Sequence, residues 1–223
     1  MARSGRETAR RTRRGVRDAE ASRAAILQAA LDEFSSVGYD GARVDRIAAA
    51  AGLSKPLLYD YFGDKDELYK AALREAYVQI RAGEEALALD ALPPEEALAA
   101  LVMFTMTHFR TRPWFITMLN TENLREGSSV AAIGDRREIQ SKLLVKLADV
   151  LRRGREDGIF HRRAEPLEVY LMIASLCYFP VSNRFTLAEV FGFDTSEEGL
   201  NAHARRATEA VVGWLKQEPA DAP

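Results

Sequence analysis

The side chains with the greatest capacity for chemistry lie close together, in residues 43–62. At the centre of this stretch, Gly52 permits a sharp turn and Ser54 is a good N-cap for a following helix. The small residues Ala48 and Ala51 allow the two short helices around the turn to approach closely. A helix that leads with its N-terminus fits the major groove of duplex DNA, and its free N–H groups favour phosphate oxygens. The spacing therefore predicts a helix-turn-helix, although packed short helices also occur in folds that do not bind DNA.

The elements that position this turn are predicted to be helical, because Ala, Leu, Glu and Arg dominate the chain and alternating β-branched runs are few. The first full helix is expected over Ser22–Val37, with Gly38 as its C-terminal glycine. Pro56 fits the first turn of the helix after the turn, and Asp64 with Glu67 forms a capping-box-like start to a longer helix. Later helices are expected over 95–110, 114–125, 129–157, 166–188 and 198–217. The predicted fold class is therefore all-α.

Charge and pattern divide the chain into three parts. Residues 1–19 form an arm in which seven arginines and one acidic residue lie between Met1 and Arg17, a composition typical of a disordered basic segment. Such an arm either stays solvated without a function or reaches phosphates or a minor groove. Residues 20–80 hold the predicted helix-turn-helix domain, and residues 81–223 form a larger helical domain.

The overall composition excludes some classes of protein. With 47% hydrophobic and 29% charged residues in a chain of 223, an ordinary globular protein is expected. A formal net charge of −2 means that any DNA contact needs a local basic surface. Cys177 is the single cysteine, which fits a reducing compartment. The sequence has no run of about 18 apolar residues, so no membrane span is predicted. We expect a cytoplasmic protein without membrane contact.

The N-terminal part of the chain resembles the DNA-binding domain of the TetR family of bacterial regulators. The matching features follow one another as Phe34 and Gly38, Ile47-Ala48, Ala51-Gly52-Leu53-Ser54, Leu58-Tyr59, Tyr61-Phe62, Lys65 and Leu68. The resemblance implies a dimeric repressor whose C-terminal helical domain binds a small effector and dimerises. That C-terminal part more weakly resembles the branch with regulators of pyrimidine and nicotinate catabolism, around Asp157-Gly158-Ile159-Phe160, Pro166, Ala174-Ser175 and Phe191-Gly192.

The family pattern also implies which residues would contact DNA. The resemblance implies that Lys55 and Leu57 face the bases. It implies that Tyr59, Tyr61 and Lys65 lie near phosphates. The full implied set is Arg43, Val44, Ser54, Lys55, Leu57, Tyr59, Tyr61 and Lys65. Val44 departs from the family because it cannot hydrogen-bond to the DNA backbone, and Leu57 departs because it can offer only an apolar contact, for example to a thymine methyl group. These departures concern base preference rather than DNA binding itself.

Aromatic and methionine side chains are frequent in residues 103–118. Such residues fill cores and also line adaptable pockets, so both interpretations stay open. Buried polar residues near them would need partners, which an effector could supply. The candidate effector contacts are Phe104, Trp114, Phe115, Met118, Asn123, Tyr178 and Arg184. His108 lies between apolar positions and is interpreted as a core or rim histidine rather than a ligand-binding group.

Two apolar faces near the C-terminus predict a four-helix dimer interface, in which each copy contributes two helices. The residues of these faces are Val169, Met172, Ile173, Leu176, Val211, Trp214 and Leu215. An intramolecular core is the other explanation for the same pattern.

No enzyme signature is recognisable in the sequence. Nucleotide-binding glycine motifs, metal-binding His and Cys motifs and the G-x-S-x-G motif are all missing, and the three histidines are scattered. We therefore expect neither a catalytic site nor a metal or other cofactor. The expected partners are a double-stranded DNA operator, an unidentified small effector and a second copy of the chain. A constitutive DNA-binding regulator without an effector, or an all-helical protein-interaction module, remains open as an alternative.

Overall fold

Helices provide the regular secondary structure of this protein. The computed structural model describes residues 2–134 and 142–218, with side chains from residue 18 onward, and no strand occurs in these ranges. In chain order their helices are α1 (Ala2–Gly41), α2 (Val44–Ala50), α3 (Lys55–Phe62), α4 (Lys65–Ala86), α5 (Pro94–Thr111), α6 (Pro113–Leu124), α7 (Ser128–Ala132), α8 (Leu143–Glu156), α9 (Pro166–Ser182), α10 (Arg184–Phe191) and α11 (Glu197–Lys216). The predicted all-α class is confirmed. None of the helices described here is both long enough and apolar enough to cross a membrane.

The chain forms two compact units. The first contains the chain up to Ala76 together with Thr117–Gly134, and the second contains Tyr77–Ile116 together with the described residues from 142 onward. The first division falls between Ala76 and Tyr77, and the sequence predicts a domain boundary at residue 80. The sequence assigns 117–134 to the C-terminal domain, whereas in the structure this segment belongs to the first unit.

Helix α1 supplies the main apolar face of the first unit. Ile26, Ala30 and Phe34 are buried and lie four residues apart, as the face of an amphipathic helix requires. Gly38 leaves helical geometry with φ 72° and ψ 178°, so the backbone change predicted at this glycine is present. Short connections then join α1 to α2 and α2 to α3.

The N-terminal stretch differs from the predicted disorder. The backbone of α1 is helical from Ala2 onward, across the segment that the sequence predicts to be a disordered arm. Arg, Ala and Glu are good helix formers, and extending an existing helix avoids the cost of a new nucleus. The side chains of residues 1–17 lie outside the described part of the protein, so a DNA contact by this arm stays a prediction.

The second unit is built around α5, α9 and α11, which pack against one another, while α8 packs against α5 and α9. Its core includes Leu98 and Leu101 of α5, Ile173 of α9 and Val211 of α11, all at most 1% exposed. The carbonyl oxygen of Leu215 accepts hydrogen bonds from two backbone N–H groups of the loop before α9. The apolar periodicity of the sequence therefore predicts α5, α11 and the start of α9 correctly.

Two long predicted helices are each interrupted. Instead of one helix over 129–157, α7 ends before Ile133, whose φ of −68° and ψ of 113° are extended, and α8 begins at Leu143. Instead of one helix over 166–188, α9 ends at Ser182, Asn183 has a φ of −107° and a ψ of 18°, and α10 begins at Arg184. Apolar periodicity continued through both interruptions, so it could not reveal them.

Candidate functional sites

The turn between α2 and α3 has the backbone features that the sequence predicts. Gly52 has a φ of 69°, a conformation that favours glycine. The hydroxyl of Ser54 accepts a hydrogen bond from the backbone N–H of Leu57 at 3.4 Å, and proline occupies the first turn of α3. The backbone N–H of Leu53 donates to the carbonyl of Ala48 at 3.0 Å. These bonds fix the start of α3 relative to α2.

The two faces of α3 differ in burial. Leu58 and Phe62 are buried and hold the helix against the first unit. Ser54, Lys55 and Tyr59 are exposed on the other face. The N-terminal end of α3 is therefore available to a large partner, as insertion into a DNA groove requires.

The other predicted DNA contacts are distributed unevenly. Arg43 is exposed, whereas Leu57 and Tyr61 are half-buried. Val44 is buried, which corrects its assignment as a DNA contact, because its side chain packs in the interior of the unit and cannot reach a phosphate. A valine at the first position of a short helix serves packing, and the family pattern alone did not reveal this.

Glu33 of α1 fixes the start of α2. Its Oε1 atom accepts a hydrogen bond from the backbone N–H of Arg43 at 3.0 Å and lies 3.8 Å from Nη1 of Arg46. The carboxylate thus caps one of the free N–H groups before α2. This contact holds the backbone of Arg43 while leaving its side chain in solvent.

Asp45 brings two of the predicted DNA-contacting cations together. Its Oδ1 atom lies 2.6 Å from Nζ of Lys55, and its Oδ2 atom lies 3.8 Å from Nη2 of Arg43. The hydrogen bond and charge of Lys55 lower the pKa of Asp45, and the same contact raises the pKa of Lys55. All three groups are exposed, so water screens the pairing and Lys55 can exchange Asp45 for another anion.

Lys65 stands at the first position of α4 but already has contacts within the protein. Its Nζ atom donates to the carbonyl of Asp40 at 3.5 Å and lies 4.8 Å from the centre of the Tyr39 ring. The side chain is half-buried. A phosphate contact by Lys65 therefore stays a prediction, and it would compete with these contacts.

An arginine that the sequence did not single out connects three parts of the first unit. The Arg125 guanidinium lies against the Tyr39 ring, and its Nη2 atom is 3.7 Å from Oδ1 of Asp66. Asp66 also accepts a hydrogen bond from the Tyr39 hydroxyl. Burial, reinforced by Asp66, raises the pKa of Tyr39 to about 12. The periodicity of apolar residues cannot predict such a contact, because Tyr39, Asp66 and Arg125 are far apart in the chain.

The predicted effector contacts separate into interior and surface residues. Phe115 and Met118 are buried, and Phe104 and Trp114 are half-buried. The ring of Tyr178 is 6.3 Å from that of Phe109, in an edge-to-face arrangement. These aromatic positions are compatible with the predicted pocket lining.

Asn123 and Arg184 both bond to the protein's own backbone, and their contact with an effector stays a prediction. Asn123 is exposed, and its Nδ2 atom donates to the carbonyl of Leu119 within the same helix at 2.8 Å. Arg184 lies on α10, a helix without buried residues, and its Nη1 atom donates to the carbonyl of Val181 at 3.1 Å. Both side chains bond to nearby backbone, a possibility that residue type alone does not exclude.

The predicted dimer faces are largely internal. Val169, Ile173, Val211 and Leu215 are at most 1% exposed within a single chain, so they form its own core and cannot contact a second copy. Met172, Leu176 and Trp214 are half-buried, and the Trp214 ring lies 4.9 Å from the guanidinium of Arg162. The intramolecular explanation of this apolar pattern is therefore correct for the four buried residues.

The acidic, histidine and cysteine side chains do not suggest a metal centre. Across the described residues, no group of three or more of them is placed to hold a metal ion. Cys177 is fully buried, and burial raises the pKa of its thiol to about 12, so it is unreactive as a nucleophile near neutral pH.

Comparison with known proteins agrees with the helix-turn-helix geometry. Residues 26–72 match the family model described as "Bacterial regulatory proteins, tetR family", and residues 94–212 match "Tetracyclin repressor-like, C-terminal domain". The chain belongs to the TetR family. This regulator is 35% identical over 190 residues to the transcriptional repressor NicS of Pseudomonas putida, a match that covers 84% of the chain and 90% of NicS.

Two further proteins are similar to this chain. The transcriptional repressor SCO4008 of Streptomyces coelicolor is 28% identical over 198 residues, covering 88% of the chain and 98% of that relative. The solved structure of the fatty acid degradation regulator FadR from Bacillus halodurans has a TM-score of 0.65 at 21% identity, covering 87% of the chain and 96% of FadR, and shows the shared fold. The protein is thus a DNA-binding transcriptional regulator and not an enzyme. The relatives are also consistent with the nicotinate branch that the C-terminal part resembles.

Proposed function

We propose that this TetR-family protein is a repressor that a small effector releases from a palindromic operator. The observation that carries the proposal is the exposed N-terminal end of α3, where Ser54, Lys55 and Tyr59 face solvent while Leu58 anchors the helix. Lys55 would read base edges in the major groove, and Arg43 with Tyr59 would contact phosphates on either side. The relatives NicS and SCO4008 are both named as repressors, which supports repression rather than activation.

Dimerisation is assigned here to a different surface from the one that the sequence suggests. Leu167, Leu171 and Phe179 of α9 are each more than half exposed and are spaced by four and eight residues, so they form one stripe. On α10, Phe185, Val190 and Phe191 are at least 68% exposed. Exposed apolar surface of this extent is typical of an interface. We propose that a second copy covers it, which matches the dimer that the family resemblance implies.

A two-fold dimer imposes symmetry on the operator. Its two α3 helices would enter successive major grooves on one side of the DNA, with half-site centres about 34–36 Å apart or a multiple of that distance. The operator would therefore be a palindrome. The effector would bind the second unit, among the aromatic side chains around Phe115, and favour a dimer whose α3 helices no longer match this spacing.

Selection of bound DNA from a random pool tests the proposal. The wild-type protein should enrich one palindrome, and Lys55→Ala should lose discrimination at its base by about 1–3 kcal/mol while keeping non-specific binding. Val145→Ala is a matched control, because Val145 is an exposed residue of α8 in the second unit. Enrichment of no sequence by the wild type would contradict the proposed operator recognition.

A further inference from the structure

His108 is a buried polar residue that DNA recognition does not use. It lies in the last turn of α5 and is 2% exposed. Its Nε2 atom has no hydrogen-bond partner within the protein. An unpaired polar atom in a protein interior is costly, because folding removes the water that satisfies it in the unfolded chain. His108 is thus a core residue, as its apolar sequence neighbours predict, but its Nε2 atom is not satisfied.

Aromatic rings surround the His108 imidazole. Its centroid is 5.1 Å from the Phe115 ring, 5.7 Å from the Phe104 ring and 6.3 Å from the Phe109 ring. The Tyr178 ring then stands edge-on to Phe109. The unpaired nitrogen therefore has aromatic neighbours and no hydrogen-bond partner within the protein.

The charges around His108 are predominantly positive. Burial, together with the positive charges of Arg112 and Arg81, lowers the pKa of His108 to about 4, so the imidazole is neutral near pH 7. The Nη1 atom of Arg81 lies 2.6 Å from both carboxylate oxygens of Glu84, which balances its charge. Arg112 has no carboxylate partner among the residues that the structure describes; its Nη1 atom lies 3.4 Å from the Thr111 hydroxyl. An anionic group would offset the charge of Arg112.

We propose that His108 and the surrounding rings form the effector site, and that the effector is a planar aromatic molecule of one or two rings with a carboxylate or an equally acidic edge. This inference rests on the proposed function, because it names the chemical class of the effector. The flat molecule stacks between aromatic faces, its polar edge completes the hydrogen bonding of Nε2, and its charge is balanced by the Arg112 guanidinium.

Access to His108 requires side-chain movement. Phe115 and Phe109 are almost fully buried, whereas Phe104 and Trp114 are half-buried. Trp114 lies edge-on to Phe115, with centroids 6.1 Å apart. We expect a small ring to enter when Phe104 or Trp114 changes rotamer.

Three related probes test the proposal by calorimetric titration of the full-length protein. Benzoate is planar and anionic, benzamide is planar and neutral, and cyclohexanecarboxylate is anionic but not planar. Benzoate should bind in the second unit at least about tenfold more tightly than either of the other two, because only benzoate meets both requirements. Equal affinities for the three probes, or no binding of benzoate at millimolar concentration, would overturn the proposed ligand class.

Variants at position 108 test the role of the imidazole. His108→Phe keeps a planar side chain but removes the nitrogen, so it should weaken benzoate binding at least about tenfold, while His108→Gln, which retains a hydrogen-bonding group, should lose less. His161→Phe is the matched control, because His161 is exposed in the same unit, and it should bind benzoate as the wild type does. If His108→Phe bound benzoate with wild-type affinity, the assigned anchor would be wrong.

Two additional measurements keep the outcomes separate. The ¹⁵N resonance of Nε2 in wild-type His108 should shift when benzoate is added, which tests the contact even if a variant does not fold; an unchanged resonance under saturation would contradict it. A gel-shift assay with the selected palindrome should show that His108→Phe still binds DNA. Loss of benzoate binding with retained DNA binding would support the effector site, whereas failure of the wild type to bind any palindrome would contradict the proposed function alone.

Discussion

The guanidinium of Arg125 stacks on the Tyr39 ring, with its central carbon 3.8 Å from the ring centroid. Tyr39 stands in the last turn of α1, and Arg125 follows α6. Asp66, near the start of α4, contacts both partners. One arginine therefore holds together, within the first unit, the two helices that flank the helix-turn-helix. A stacked guanidinium with a nearby carboxylate makes both a cation–π contact and a charged contact.

Replacing Arg125 by alanine should destabilise the first unit. We expect Arg125→Ala to lower the free energy of unfolding by about 1–2 kcal/mol, because a partly desolvated cation–π contact with Tyr39 and the ion pair with Asp66 are both lost. Arg125→Lys should recover less than half of this, since an ammonium group cannot stack on Tyr39. Urea denaturation measures the effect. Arg152→Ala is the control, because Arg152 is an exposed residue whose ion pairs are within α8, and an effect as large there would contradict the special role of Arg125.

The sequence predicts local features of the first unit well because they depend on neighbouring residues. The Ser54 cap, the Gly52 turn and the Asp64 cap of α4 each follow from residue type and spacing, and each is present. The Arg125 contact and the burial of Val44 could not be predicted in this way, because tertiary packing determines them. The same limit applies to the effector site, where only the fold shows that His108 lacks a partner.

Removing the carboxylate of Asp45 should strengthen DNA binding. Asp45→Asn would release Lys55 from its 2.6 Å ion pair and remove one negative charge from the surface that faces phosphates. We expect tighter binding to duplexes of any sequence and a salt dependence steeper by about one counterion, measured by fluorescence anisotropy between low and moderate salt. Asp149→Asn, which breaks a half-buried ion pair on α8 in the second unit, should change neither quantity. Unchanged binding by Asp45→Asn would mean that this surface does not approach DNA.

A charge placed in the exposed apolar stripe of α9 should prevent dimerisation. Leu171→Glu alters a side chain that is 53% exposed, so the fold should survive while the proposed interface acquires an unpaired charge. Sedimentation should give the mass of one chain, with an unchanged helical circular dichroism spectrum. Val145→Glu, at a 74% exposed position on α8, should remain dimeric. A dimer that tolerates Leu171→Glu would place the interface elsewhere.

His108 should make the stability of the protein depend on pH in the acidic range. Its folded-state pKa of about 4 lies below the ordinary value of 6.5, so the unfolded chain binds the proton more readily. The part of the free energy of unfolding that depends on neutral His108 is fully present above pH 6.5. It is lost as the pH falls toward 4, by an amount on the order of 3 kcal/mol. His108→Phe should lose less stability across this range than the wild type, and His161→Phe should behave like the wild type. Parallel stability curves for His108→Phe and wild type would show that His108 is protonated without penalty.

Effector and operator should oppose each other in binding by equal factors. Suppose that a planar aromatic acid favours a dimer with mismatched α3 helices. Linkage then requires that the operator weaken binding of the acid by the same factor by which the acid weakens binding of the operator, typically about 5–150-fold or 1–3 kcal/mol. Calorimetric titration with benzoate, in the presence and absence of the selected palindrome, measures one factor, and anisotropy of labelled palindrome at increasing benzoate measures the other. His108→Phe should reduce both factors toward one, because benzoate no longer distinguishes the two states. Equal benzoate affinity with and without the palindrome would instead describe a constitutive DNA-binding protein whose aromatic site does not control the operator.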